Sequence, residues 1–233
     1  MQVLCTICMR GGSKGFPNKN LKKINGKSIM YFSITQAINS KIFNKIIVST
    51  DSKKIFSKSI SYGAEGFFLR SKKLSDDRVG KVSVIRDALI KSELYYKNKF
   101  DYIVDLDVTS PLRTVNDIKF SFNQFIREKS DNLVTASLSK KNPYFNLIER
   151  NNKNILGPSK KITKLILRRQ DAPITYDMNA SIYIWKRKKL LNSNKIFNKK
   201  TSLYLMEQSK SIDIDSEQDY KIVKFLIEKK IKL

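Results

Sequence analysis

Short β-branched apolar runs alternate along this chain with longer stretches in which apolar residues recur every three or four positions. The first pattern is that of buried strands and the second that of amphipathic helices. Their alternation predicts an α/β fold, a mostly parallel sheet wrapped by helices. Val3 to Met9 reads as a first strand, Lys45 to Ser49 as a second and Phe67 to Arg70 as a brief third. Asp101 to Leu106 is apolar enough to be central, and Asn132 to Ser137 is a fifth. Helices are predicted over about Ser28 to Asn39, just after Asp51, and over Lys81 to about Tyr96. The first carries Ile29, Phe32 or Ser33, Gln36 and Ala37 on one face, and the last Val82, Ile85, Ala88 and Leu89. Thr114, with Asp117 three positions on, forms a variant capping box that opens a helix to about Arg127.

From Lys140 to about Tyr176 the rhythm breaks. Pro143, Gly157, Pro173, mixed polarity and a basic cluster make this stretch an excursion rather than another βα unit. Strand character returns at Asn179 to Trp185 and at Ser202 to Met206, and Ile212 to Asp215 is a short extended piece. Ser216 caps a last helix with Asp219 at its third position and Ile222, Val223, Leu226 and Ile227 inward. With no internal repeat and no Gly/Ser linker, the reading is one domain, 1–233, with an inserted arm at about 140–176.

Composition changes this picture little. The formal charge of +25 raises nucleic-acid binding as a reading of another class. The lysines are scattered, however, with no basic tail and no recognisable nucleic-acid-binding motif, and a positive field equally steers small anionic substrates. Cys5 and Cys8 lie inside a predicted strand, where positions three apart face opposite sides, and no histidine completes a zinc site. They read as reduced, packed thiols. No apolar run approaches the roughly 18 residues that cross a bilayer. No secretory signal precedes the first strand, so a cytoplasmic enzyme without membrane or nucleic-acid partners is the expectation.

Chemistry concentrates after the first strand, in Arg10-Gly-Gly-Ser-Lys-Gly-Phe-Pro-Asn-Lys-Asn20. Glycines let backbone N–H groups approach phosphate oxygens, and Arg10, Lys14 and Lys19 can offset the charge of a triphosphate. The loop is neither a Walker A motif nor a dinucleotide fingerprint. By itself it fits a solvated basic turn equally well. Near the other end, Asp213 and Asp215 stand two apart on an extended piece, so their side chains point the same way. Two such carboxylates suit Mg²⁺, although a polar strand edge before a capped helix has the same pattern.

Arg10 to Asn20 matches, position by position, the opening R-x-x-S-K-G-x-x-x-K-N of the CMP-sugar synthetases (acylneuraminate cytidylyltransferases). The chain also resembles that family at Ile47-Val-Ser-Thr-Asp51, Leu69-Arg70, Thr109-Ser-Pro-Leu-Arg113, Asn179-Ala-Ser-Ile-Tyr183 and Ser211-Ile-Asp-Ile-Asp215, in the family's order. Where sialic-acid-activating relatives carry Gln, this chain has Asp107. That residue, with Cys5-Thr-Ile-Cys8 and Asn142-Pro-Tyr-Phe-Asn146, is more similar to the CMP-legionaminic acid branch.

The resemblance implies a Rossmann-like nucleotidyltransferase sandwich and a reaction of CTP with an acidic nine-carbon sugar. The alternatives are N-acetylneuraminate, pseudaminate or Kdo as the sugar. It further implies that Arg10, Gly11, Gly12, Ser13, Lys14, Lys19 and Asn20 hold the nucleotide, with Arg70 and Asp77 nearby. Arg10, Lys14, Lys19 and Asp215 take the catalytic roles, and Asp213 with Asp215 holds Mg²⁺. Asp107, Asn179 and Tyr183 are then expected to line the sugar pocket, with Asp107 open to three roles: second metal, sugar contact or turn cap. The excursion is expected to be a dimerisation arm that carries Arg169, beside Arg168, to the sugar carboxylate in the partner subunit of a homodimer. Where the family's arm has a lysine, this chain has Phe145.

Overall fold

The computed structural model describes residues 1–12, 15–162 and 166–231. In chain order its elements begin with β1 (Val3–Cys8), a hairpin of β2 (Lys23–Ile24) and β3 (Lys27–Ser28), α1 (Ile29–Ser40) and β4 (Lys45–Ser49). They continue with α2 (Lys53–Ile60), α3 (Lys81–Tyr96), β5 (Tyr102–Leu106), α4 (Val115–Arg127) and β6 (Asn132–Leu138). A small hairpin follows, β7 (Ile148–Arg150) with β8 (Leu156–Pro158). The last elements are β9 (Tyr176–Lys186), α5 (Arg187–Asn192), β10 (Thr201–Leu205) and α6 (Glu217–Glu228).

Among the described residues, six strands form the main sheet in the order β10-β6-β9-β5-β1-β4. It is parallel except for β9, which runs antiparallel to both β5 and β6. The alternation of β1 sorts the core into two layers. Val3, Cys5 and Ile7 pack with α1, α4 and Val223 of α6, whereas Leu4 packs with α3 and Leu190 of α5, and Cys8 lies against that second layer. The two cysteines are free and on opposite faces, as the strand period requires. Burial pushes both thiols well up, and Asp105 adds to the effect. Strand order reverses at β1, because the step to β4 goes one way and the step on to β5 returns past β1. Open α/β sheets bind ligands outside the carboxyl ends of strands at such a point.

Local chemistry sets the helix starts. Thr114 and Asp117 form a full capping box at α4, Ser216 and Asp219 form another at α6, and the Ser52 hydroxyl accepts from Ile55 N at α2. Asn25 and Gly26, both at positive φ (49° and 74°), make the tight β2–β3 turn. That Asn-Gly pair is a hairpin signal which the periodicity reading passed over, as it passed over α5.

Two expectations are corrected. Phe67 to Arg70 is extended but forms no ladder. It follows β4 through Glu65 N to Ile46 O (2.7 Å), Val48 N to Glu65 O (3.0 Å) and Arg70 N to Thr50 O (2.8 Å). Between those ties Phe67 stacks on Tyr95, with ring centroids 4.1 Å apart. In α6, Ile222 faces outward, and Tyr220, Val223, Leu226 and Ile227 meet the core at helical spacing. The 140–176 stretch does leave the main sheet. Its β7–β8 hairpin carries exposed Ile148 and Leu156, with Leu147 and Ile155 beside it. No helix among the described residues is long and apolar enough to cross a membrane.

Candidate active site

At the carboxyl ends of β1 and β5 lies a cleft of about 410 Å³. It is lined by Cys8 to Arg10, Gly15, Phe16, Lys19, Asn20, Asp107 to Thr109, Asp213 and Asp215. The loop after β1 forms one wall and is fastened at several points. The Gly11 N–H donates to Asp51 Oδ1 (2.8 Å), and the Asn20 amide donates to the Arg10 carbonyl (3.0 Å). Arg10 pairs with Asp77, which joins this wall to the segment before α3. Gly15 passes so close to the Asp215 carbonyl that a Cβ would lie 3.1 Å from its oxygen. Lys19 donates to the Ile214 carbonyl (3.0 Å) and to Asp215 Oδ1 (2.9 Å). Gly12 faces open space. Ser13 and Lys14 lie outside the described residues.

The opposite wall is the corner that ends β5. Asp107 Oδ1 accepts from the Thr109 N–H (3.0 Å) and hydroxyl (2.8 Å), a local turn of the kind aspartates favour. Its other oxygen meets the Lys81 ammonium, which also lies 3.2 Å from Asp105. Burial alone would raise the Asp107 carboxyl, but Lys81 and Thr109 hold it well below the usual carboxylate range. Behind the corner sits Arg113, 1% exposed. It donates to the Ser181 carbonyl (2.7 Å), the Ser33 hydroxyl (2.9 Å) and the Asp107 carbonyl (3.2 Å).

Between the walls runs the segment before α6. The Ile214 N–H donates to the Thr109 carbonyl (2.9 Å) and the Ile214 side chain is fully buried, while Asp213 and Asp215 both border the cleft. One Asp213 oxygen is buried without a hydrogen-bond partner. Burial, reinforced by Asp107 and Asp215 and opposed by a hydrogen bond from Thr109 and by Lys19, pushes its carboxyl up to about 6. An orphaned carboxylate oxygen beside a second carboxylate fits a hard divalent cation. The described residues hold no cluster of three or more His, Cys, Asp and Glu side chains around a common point. A metal here would complete its shell with water and phosphate oxygens, the way Mg²⁺ is usually held.

Other predicted site residues lie away from the cleft wall. Arg70 is buried, and its nitrogens donate to the Met9 carbonyl (3.1 Å), the Ser49 carbonyl (3.4 Å) and the Ser75 hydroxyl (3.1 Å). It therefore braces the start of the loop. Asn179 is also buried: its amide donates to Ser211 Oγ (2.9 Å), and its oxygen accepts from Thr135 Oγ1 (2.7 Å) and Ser181 N (3.2 Å). It ties β9 to the acidic segment beside Ala180, which takes a left-handed φ of 52° at an irregularity in the β6–β9 pairing. Tyr183 is 2% exposed and stacked on Trp185, beneath Lys81. Arg169 sits on the arm, donating to the Ser139 carbonyl (2.6 Å), and Arg168 pairs with Asp171. Of the four side chains expected around the sugar, Asp107 alone lines this chain's own cleft. The periodicity reading missed Lys81, Asp105 and Arg113. A lysine at a helix start and a charged residue inside an apolar strand were the signals for the first two.

Residues 4–233 match the family model described as cytidylyltransferase. The chain is 48% identical to a post-translational flagellin modification protein B of Campylobacter coli, an alignment covering 98% of this chain and 96% of that protein. It is 49% identical to a CMP-N,N'-diacetyllegionaminic acid synthase of Campylobacter jejuni, over 97% of this chain and 95% of that one. Among solved structures, a CMP:2-keto-3-deoxy-manno-octonic acid synthetase complexed with CTP superposes with a TM-score of 0.71. The superposition covers 99% of this chain and 100% of that one at 14% identity, a likeness of fold.

Proposed function

Since the chain belongs to the cytidylyltransferase family and is a nucleotidyltransferase, we propose that it activates a nonulosonic acid of the legionaminic type with CTP. The anomeric hydroxyl of the sugar attacks the α-phosphorus, a new P–O bond forms, the bond to the β-phosphate oxygen breaks, and pyrophosphate leaves. The hydroxyl proton departs to solvent or to a neighbouring carboxylate. The observation that carries this reading is a basic, glycine-containing loop that shares one cleft with a carboxylate pair, in which Asp215 meets Lys19 of the loop and one Asp213 oxygen is buried without a partner.

Such a transfer needs alignment and charge neutralisation more than covalent help from the protein. The backbone beside Gly12, with Arg10, Lys14 and Lys19, holds the triphosphate, while the Gly11 N–H fastens the loop to Asp51. Asn20 and Arg70 keep the loop in shape by gripping the Arg10 and Met9 carbonyls. Mg²⁺ bound by Asp213 and Asp215 would draw charge from the phosphate oxygens. Asp107 borders the sugar. The enzyme works as a homodimer in which the 140–176 arm delivers Arg169 to the partner's cleft. High identity to a synthase named for N,N'-diacetyllegionaminic acid supports the choice of sugar.

One panel tests the reading: purified protein, CTP and Mg²⁺ with legionaminic, N-acetylneuraminic, pseudaminic or Kdo acid, following pyrophosphate. Highest kcat/KM with a legionaminic acid is the expected result. Preference for another acid overturns the choice of sugar, and no release with any acid overturns the activity.

A further inference from the structure

Lys81 opens α3, and an ammonium is poorly placed there, next to the unpaired N–H groups of a helix start. No acidic residue in the first turn of α3 offsets it. The side chain instead reaches the end of β5, where it contacts the carboxylates of both Asp105 and Asp107. It also lies 4.5 Å from the centroid of the Tyr183 ring, which stacks on Trp185 at 5.5 Å and 8°. Asp105 is fully buried, and its other oxygen accepts from Thr6 (2.7 Å). The ammonium is thus fixed by two carboxylates and a pinned aromatic face, and it is the cation on which both carboxylates converge.

We propose that Lys81 is the positioning residue for the sugar end of the cleft: it fixes the Asp107 carboxylate as an acceptor for a hydroxyl or amide N–H of the acidic sugar. The proposal rests on the function proposed above. Both Asp107 oxygens are already oriented, one by Thr109 and one by Lys81, so the group cannot swing. An ionised carboxylate has about four acceptor sites, and the side chain is 22% exposed at the cleft wall. A lone pair is therefore left for a ligand. Being acceptor-only, Asp107 selects a donor, where an amide side chain would accept either polarity.

A double-mutant cycle on steady-state kinetics tests this, using wild type, K81M, D107N and K81M/D107N with CTP and the preferred acid. K81M should raise the sugar KM about tenfold while the CTP KM moves less than about threefold. If Lys81 acts through Asp107, the double variant should be no worse than D107N alone. Equal shifts in both KM values, additive losses, or an unchanged sugar KM overturn the proposal. K81M leaves Asp105 without its cation, so K81M/D105N is run beside it to keep a folded variant in hand, with the same expected split. A wild type that uses no acid removes the functional reading and this proposal with it. An active wild type with an unaltered K81M removes this proposal alone.

Discussion

Lys19 and Asp215, 196 residues apart in sequence, close the cleft with an ion pair of 2.9 Å between the ammonium and Oδ1. The basic loop and the acidic segment thus neutralise each other across the space between them. A triphosphate would draw Lys19 and a metal would draw Asp215, so one ligand complex replaces both halves of the pair.

D215N should therefore abolish Mg²⁺-dependent pyrophosphate release with little loss of stability. The Asp215 side chain is 74% exposed, and pairs of that kind contribute about 1 kcal/mol or less. Thermal unfolding checks the fold, and a coupled pyrophosphate assay checks turnover. K19A should lower kcat/KM for CTP by about two orders of magnitude, as loss of a charged phosphate contact does. Retained turnover in D215N would remove Asp215 from the metal site.

Asp213 carries the opposite balance. Its carboxyl is raised to about 6, mainly by burial. A group raised in the folded state contributes stability below its unfolded value, near 3.8, and that contribution is lost as pH rises through about 6. At pH 7.5 in EDTA, D213N should be more stable than wild type by about 1–3 kcal/mol. The gap should narrow as pH falls through about 6 and close below about 3.8. The same substitution should abolish turnover. Urea unfolding across pH measures the first effect, and a gap that widens on acidification would contradict it.

Arg113 should behave as a structural residue. Substituting Met removes donors to Ser181, Ser33 and Asp107 at a site that is 1% exposed. Leaving those acceptors unpaired should cost about 3 kcal/mol or more. R113K should recover little, because an ammonium cannot span the same fork. The midpoint of denaturant unfolding is the measurement.

Subunit mixing tests the arm. D215N and R169A should each be inactive alone, yet a refolded equal mixture should regain roughly a quarter of wild-type activity, from the one competent cleft in each heterodimer. Sedimentation should show a dimer. A monomer, or a mixture that stays inactive, would refute cleft sharing.

Periodicity alone sets most of the architecture. Lys45–Ser49 is legible to the residue, as is the start of Lys81–Tyr96, and the capping pairs Thr114/Asp117 and Ser216/Asp219 mark helix starts because their bonds are local. The glycine-rich loop after β1 and the Asp213–Asp215 pair are visible as local patterns for the same reason, although each pattern alone reads equally as a basic turn or a polar strand edge. Tertiary structure alone decides which of these groups meet. It brings residue 19 to residue 215, buries Asn179 and Tyr183 where the sequence reading expected a pocket wall, and gives Lys81 two carboxylates from β5 and the corner beyond it. Hydrogen bonds and ion pairs between segments far apart in sequence leave no period in the chain. Whether a polar side chain faces a ligand or its own backbone is settled only when the sheet and helices close around it.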